Sequence, residues 1–240
     1  MIMKADAIIF DKDGTLLDFD AFWVSLSNVA IESVLREFDM DESLKYDILE
    51  AFGVHDGVTD INGVLCKGTY EEMGEIVCAI LQTHGLTASC EDVVKAVEEA
   101  YSRHAREGVV RPTCPDLAYT LAQLKGQGIR LAVVTTDNES ITRHCLEGLG
   151  ILSYFDVIFT DDGHTPTKPH PYCAEELCRR YALDKTRVVM VGDTMTDVRF
   201  AKNAGITSVA LAPSPEKQAV LSPCADILIS AISELPALLA

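Results

Sequence analysis

Apolar and polar positions along this chain change period several times, and each change marks an expected element. Residues 5–10 form a short stretch that is apolar apart from Asp6, the pattern of a buried strand. From 21 to about 38 the apolar positions Phe22, Leu26, Val29, Val34 and Phe38 recur at three- to five-residue steps, which predicts a helix. A second helix is predicted over about 41–52, with Asp41 and Ser43 as caps. Residues 53–68, rich in Gly and Asp, read as a loop. Helices are expected again over 70–84 and 90–106, the latter carrying Val93, Val94, Val97, Ala100 and Tyr101 on one face.

Past Pro112 the style changes to alternation. Helices are predicted over 115–125, 139–149, 170–181 and 197–204, separated by strands over 130–135, 155–160, 187–191 and 207–211. A further strand over 225–229 and a terminal helix over 232–239 follow. Strands apolar on both faces, alternating with helices, predict an α/β fold: a parallel sheet with helices on each side. The all-helical block does not fit that alternation and reads as an insertion after the first strand. The expected domains are therefore 1–17 with 110–240, and 18–109. The joints fall near 17–20 and 108–112.

Composition narrows the picture. At 240 residues, 48% hydrophobic and 24% charged, the chain suits a globular fold and not a disordered one. No apolar run approaches the roughly 20 residues of a membrane-spanning helix, and the start of the chain, with Lys4 and Asp6, lacks the long apolar stretch of a signal peptide. A formal charge of −17 opposes nucleic acid or an anionic membrane as partner. A phosphorylated metabolite remains possible if a metal ion and a few lysines reverse the potential locally. The eight cysteines include no Cys-x-x-Cys pair and read as reduced thiols, so zinc is not expected and the compartment is expected to be cytoplasmic. Oligomeric state is left at monomer or homodimer.

The candidate chemistry sits where strands are expected to end, which is where open parallel sheets bind ligands. The first strand runs into Ile9-Phe10-Asp11-Lys12-Asp13-Gly14-Thr15. Residues i and i+2 of a strand point the same way, so Asp11 and Asp13 are expected to face one site. That pairing suits a carboxylate nucleophile beside a carboxylic acid, with a divalent cation held between acidic groups. The next strand ends at Thr135 and Thr136, followed by Asp137 and Asn138. Lys168 lies in Thr-Lys-Pro-His-Pro after the third, and the fourth ends in Val-Gly-Asp-Thr-Met-Thr-Asp, which holds Asp193 and Asp197. Each residue alone has an ordinary reading. Asp193 and Asp197 could simply begin a helix, Lys168 could be a solvated loop charge, and Thr135 could close a strand. Their joint order favours a site.

In that order the four segments resemble the motifs of the haloacid dehalogenase-like superfamily, over about 185 residues. The resemblance implies a Rossmann-like core with a helical C1 cap inserted where the helical block lies. It implies Asp11 as nucleophile, Asp13 as general acid and base, and magnesium held by Asp11, the backbone of Asp13 and Asp193. Thr135 and Lys168 would meet the phosphoryl group, with Asp197 orienting Lys168 or a metal-bound water. Thr15, Thr136 and Asn138 are expected to contribute to substrate binding, and Lys67 of the Gly-rich loop in the cap either does so too or is an ordinary solvated lysine. The acid at Asp13 and the hydroxyl at Thr15 favour hydrolysis of a small phosphomonoester, as in phosphoglycolate phosphatase-like members. A phosphomutase of the β-phosphoglucomutase type and a catalytically weak binding protein are the alternatives.

Overall fold

In the computed structural model, which describes residues 4–239, the chain divides into two compact units: residues up to Asp18 together with those from Arg111 onward, and Phe19–Val110. The first strand, β1 (Ala7–Phe10), belongs to the former and is buried throughout.

The inserted unit holds helices α1 (Phe19–Glu37), α2 (Leu44–Ala51), α3 (Val64–Lys67), α4 (Tyr70–Thr83) and α5 (Cys90–His104). Its core is lined by Phe22, Leu26, Val34, Val77, Leu81 and Val97. A buried polar chain crosses it without an unmet donor: Tyr101 Oη donates to Ser27 Oγ at 2.6 Å, and Ser27 Oγ donates to the Trp23 carbonyl at 2.7 Å. Helices α4 and α5 meet at Gly74, where a Cβ would stand 2.6 Å from Val94 Cα.

Part of the expected loop at 53–68 is ordered. Strands β2 (Val54–His55) and β3 (Val58–Thr59) pair antiparallel across Asp56 and Gly57, both with positive φ, and α3 follows. Asp-Gly is the pair that a tight hairpin turn demands. Two-residue strands are too short to show alternation, which is why the stretch reads as a loop.

The remaining elements complete the α/β unit: α6 (Leu117–Gly126), β4 (Arg130–Asn138), α7 (Glu139–Gly148), β5 (Val157–Asp161), α8 (Tyr172–Tyr181), β6 (Val188–Gly192), α9 (Met195–Ala204), β7 (Thr207–Leu211), α10 (Pro215–Leu221), β8 (Ile227–Ile229) and α11 (Leu235–Leu238). The six long-range strands form one parallel sheet in the order β5-β4-β1-β6-β7-β8. Side-chain alternation splits its core in two. Ile8, Phe10, Val133 and Val191 face Leu117, Leu121 and Leu124 of α6 on one side. Ile9, Val134 and Met190 face Leu177 of α8 and Phe200 of α9 on the other.

Two further elements differ from expectation. Residues 215–221 form a helix the apolar pattern does not announce, because it buries only Leu221; its start is nonetheless written as Ser214, whose hydroxyl accepts from Lys217 N, and Pro215 in the first turn. The last helix is broken, a 3₁₀ turn at Ile232–Glu234 leading into one turn of α-helix.

Candidate active site

The site grows from the carboxyl end of β1, the strand flanked by β4 and β6. Asp11 N–H donates to the Val191 carbonyl at 2.9 Å, so pairing with β6 continues into the first aspartate. The chain then curls tightly, with the N–H groups of Leu16 and Leu17 both donating to the Lys12 carbonyl. Gly14 takes φ 73° in this curl, and a Cβ there would stand 2.3 Å from Asp193 Oδ2. Only glycine fits both the backbone conformation and the approach of that carboxylate.

Four of the expected residues come together. Lys168, in the loop before α8, places Nζ 2.5 Å from Asp11 Oδ1 and 2.7 Å from Asp197 Oδ1. Asp11, Asp193 and Asp197 are all buried and present carboxylate oxygens within 4.8 Å of one another. Asp197 also fills the role its spacing allows at a helix start: its Oδ2 accepts from Thr194 N at 3.1 Å and Thr194 Oγ1 at 2.6 Å, as part of a capping box. The capping reading and the site reading hold together, one oxygen serving each.

The other expected residues are placed less directly. The Thr15 hydroxyl donates to Asp193 Oδ1 at 3.3 Å. Thr135 is buried and its Oγ1 accepts from Asp137 N at 3.2 Å, while Thr136 is exposed. Asn138 uses its side-chain oxygen to cap α7, accepting from Ile141 N at 3.0 Å. Lys67 lies in the inserted unit, where its Nζ donates to Asn62 Oδ1 at 2.6 Å.

Three residues given no role by sequence reasoning belong here. Lys12 is fully buried, with Nζ 2.7 Å from each carboxylate oxygen of Asp13 and 2.8 Å from Asp137 Oδ2. Its signal in the sequence is a lysine between two aspartates at the end of a strand with no exposed face. Asp137 lies one residue before the Asn138 cap. Lys217 of α10 pairs with Asp193 Oδ2, and no spacing rule connects positions 24 residues apart in different elements.

The electrostatics follow from burial. Desolvation raises the pKa of Asp11 well above the carboxylate range, Lys168 pulling it down while Asp197, Asp193 and Asp13 push it up. Asp193 is likewise raised by burial, against the attraction of Lys217. Burial and the charge of Asp13 take Asp137 up to about 6. Lys12 and Lys168 show the converse: burial alone would lower them, but their paired carboxylates leave both raised and charged. Burial also pushes Cys145 up to about 12 and Cys173 to about 11, so neither thiol is a nucleophile at neutral pH.

The donor set fits a divalent cation. When all are ionised, Asp11, Asp13, Asp137, Asp193 and Asp197 bring five negative charges against three positive from Lys12, Lys168 and Lys217, an excess of two that a cation would offset. The clustered donors are all oxygen, which suits magnesium and not a thiolate-seeking metal. Chemically, the arrangement offers a buried carboxylate under a lysine, beside further acids that a cation would bridge.

The sequence matches the haloacid dehalogenase-like hydrolases over residues 5–205, and the chain belongs to that family. It is 30% identical over 207 residues to the phosphoglycolate phosphatase of Aquifex aeolicus, covering 85% of this chain and 83% of that one. A probable phosphatase of Dickeya dadantii, IndB, is 29% identical over 209 residues, covering 85% and 80%. In fold, the chain is similar to a crystal structure from Haemophilus somnus of a predicted phosphoglycolate phosphatase, with TM-score 0.71, 22% identity and 98% of each chain covered.

Proposed function

We propose that this chain hydrolyses a small phosphomonoester of the phosphoglycolate class with magnesium, by attack of Asp11 on phosphorus. The observation that carries the reading is Lys168 bridging Asp11 and Asp197 beside Asp193, in a buried cluster at the strand ends. An ammonium beside the nucleophile offsets the repulsion between two anions, which otherwise blocks attack on a phosphate. Asp11 Oδ forms a bond to phosphorus as the ester oxygen departs, and Asp13 gives that oxygen its proton. Water then attacks the aspartyl-phosphate with Asp13 taking its proton, and Asp11 is released. Asp11, the Asp13 carbonyl and Asp193 would hold the magnesium ion, which supplies positive charge to the phosphoryl oxygens. Thr135 and Thr136 are assigned to those oxygens from the end of β4. Asn138 holds the start of α7, and Thr15 steadies Asp193. Asp197 sets Lys168 in place. The inserted unit is assigned the role of cap, with Lys67 recognising an anionic end of the leaving group.

Release of inorganic phosphate tests this reading, measured on aryl phosphates and on phosphorylated metabolites with acidic and neutral leaving groups. Asp11→Asn keeps the size of the side chain and removes the nucleophile, so turnover should fall by about three orders of magnitude or more in a folded protein. A beryllium fluoride adduct, seen by ¹⁹F NMR in the native protein and missing from the variant, would locate the phosphoryl acceptor. Near-native turnover in folded Asp11→Asn would overturn the mechanism. Product that stays esterified, with a bisphosphate required as activator, would replace hydrolysis by a mutase.

A further inference from the structure

We propose that Lys12 is a positioning residue for Asp13, its ammonium fixing that carboxylate between the ends of β1 and β4 through Asp137. The proposal rests on the reading of Asp13 as general acid and adds to it a group that acts through Asp13 without touching substrate.

Neighbours on a strand point to opposite faces, so Lys12 and Asp13 would not meet in regular β structure. The curl after β1, in which Leu16 and Leu17 both bond to the Lys12 carbonyl, folds them onto each other. The ammonium then stands 2.7 Å from both oxygens of one carboxylate, which fixes the carboxylate's plane as well as its place. It also meets Asp137 Oδ2 at 2.8 Å, near the end of the neighbouring strand β4. A charge clamp thus ties the two strand ends that flank the site.

Chain packing alone gives no reason for a lysine here. The side chain is fully buried, and taking an ammonium out of water costs several kcal/mol unless close carboxylates offset it. A Met or Leu would fill the same volume without that cost. What the charge adds is orientation. A general acid works only when its proton lies within hydrogen-bond reach of the departing oxygen, and a misplacement of about 1 Å can cost about a hundred-fold in rate.

The test uses leaving groups that differ in their need for a proton. For Lys12→Met, kcat/KM is measured across aryl phosphates from phenyl to 2,4-dinitrophenyl, because this ratio covers only steps up to departure of the alcohol. The phenyl ester should lose about ten- to a hundred-fold and the dinitrophenyl ester less than about three-fold, a steeper leaving-group dependence than the native enzyme's. Asp13→Asn should show the same steepening to a greater degree. Lys12→Met leaves two carboxylates facing each other, so Lys12→Met/Asp137→Asn, which removes one charge of each sign, is measured beside it. It should retain the native melting temperature more closely and show the same steepening. A uniform loss across the series in both Lys12 variants, or no loss, overturns the proposal while Asp13→Asn still steepens. If Asp13→Asn loses rate uniformly, the general-acid reading itself falls, and this proposal with it.

Discussion

Glycine 14 and Asp193 are best understood as a pair. The carboxylate sits where the glycine's side chain would be, and it also accepts from Thr15 and pairs with Lys217. Removing the charge while keeping the shape isolates its electrostatic part. Asp193→Asn should raise the magnesium concentration for half-maximal activity by about ten-fold or more, and calorimetry should show the same weakening of magnesium binding without substrate. Unchanged binding would remove Asp193 from the metal site. At this scale the sequence is informative where the clustered side chains follow a strand end. Asp11, Lys168, Asp193 and Asp197 are legible together, from their joint order along the chain, and not one by one. Lys217 is not legible, because its partner is reached through tertiary packing of a short polar helix. Asn138 shows the opposite failure: its place beside the site is legible, but its side chain spends its oxygen on the cap of α7.

Among the elements, periodicity worked best where burial is complete. All four residues of β1 and all five of β6 are buried, and an apolar run is all that such a strand can present. It worked least where an element has little apolar surface, as in the β2–β3 hairpin and α10. The contact between α4 and α5 offers a test of how tightly the inserted unit is packed. Gly74→Ala would bring its new methyl against Val94 Cα, which is backbone and cannot turn aside. We expect a loss of about 1–3 kcal/mol, seen as a lower midpoint in urea or on heating, and an unchanged midpoint would mean the two helices can separate slightly without cost.

For the whole molecule, charge is the dominant fact. Asp11, Asp193 and Asp137 hold their protons more tightly when folded than unfolded, so between the ordinary carboxylate range near pH 4 and about pH 6 or above the folded chain binds the extra protons. Metal-free stability should therefore fall as pH rises through that interval, and the net charge of −17 adds self-repulsion in the same direction. Carboxylates held low, such as Asp162 at about 2 under hydrogen bonds from Thr165 and His164, act oppositely: their contribution is lost as pH drops toward that value. Thermal melts in EDTA should peak in mildly acidic buffer and decline toward pH 8. Magnesium should lift the melting temperature, and lift it more at pH 8 than at pH 5, because it binds the folded carboxylates in competition with protons. Equal shifts at both pH values would place the ion elsewhere.

The strand order has one more consequence, which concerns time. β1 is made before both of its partners, β4, which begins at Arg130, and β6, which begins at Val188. At about 5–20 residues per second, the wait for the second partner lasts roughly ten to forty seconds. Until then the β6 edge of β1 has no neighbour, while the inserted helical unit, a compact body over Phe19–Val110, is already made in full. The strand that leads into Asp11 is thus made before either neighbour and enclosed only once β6 follows.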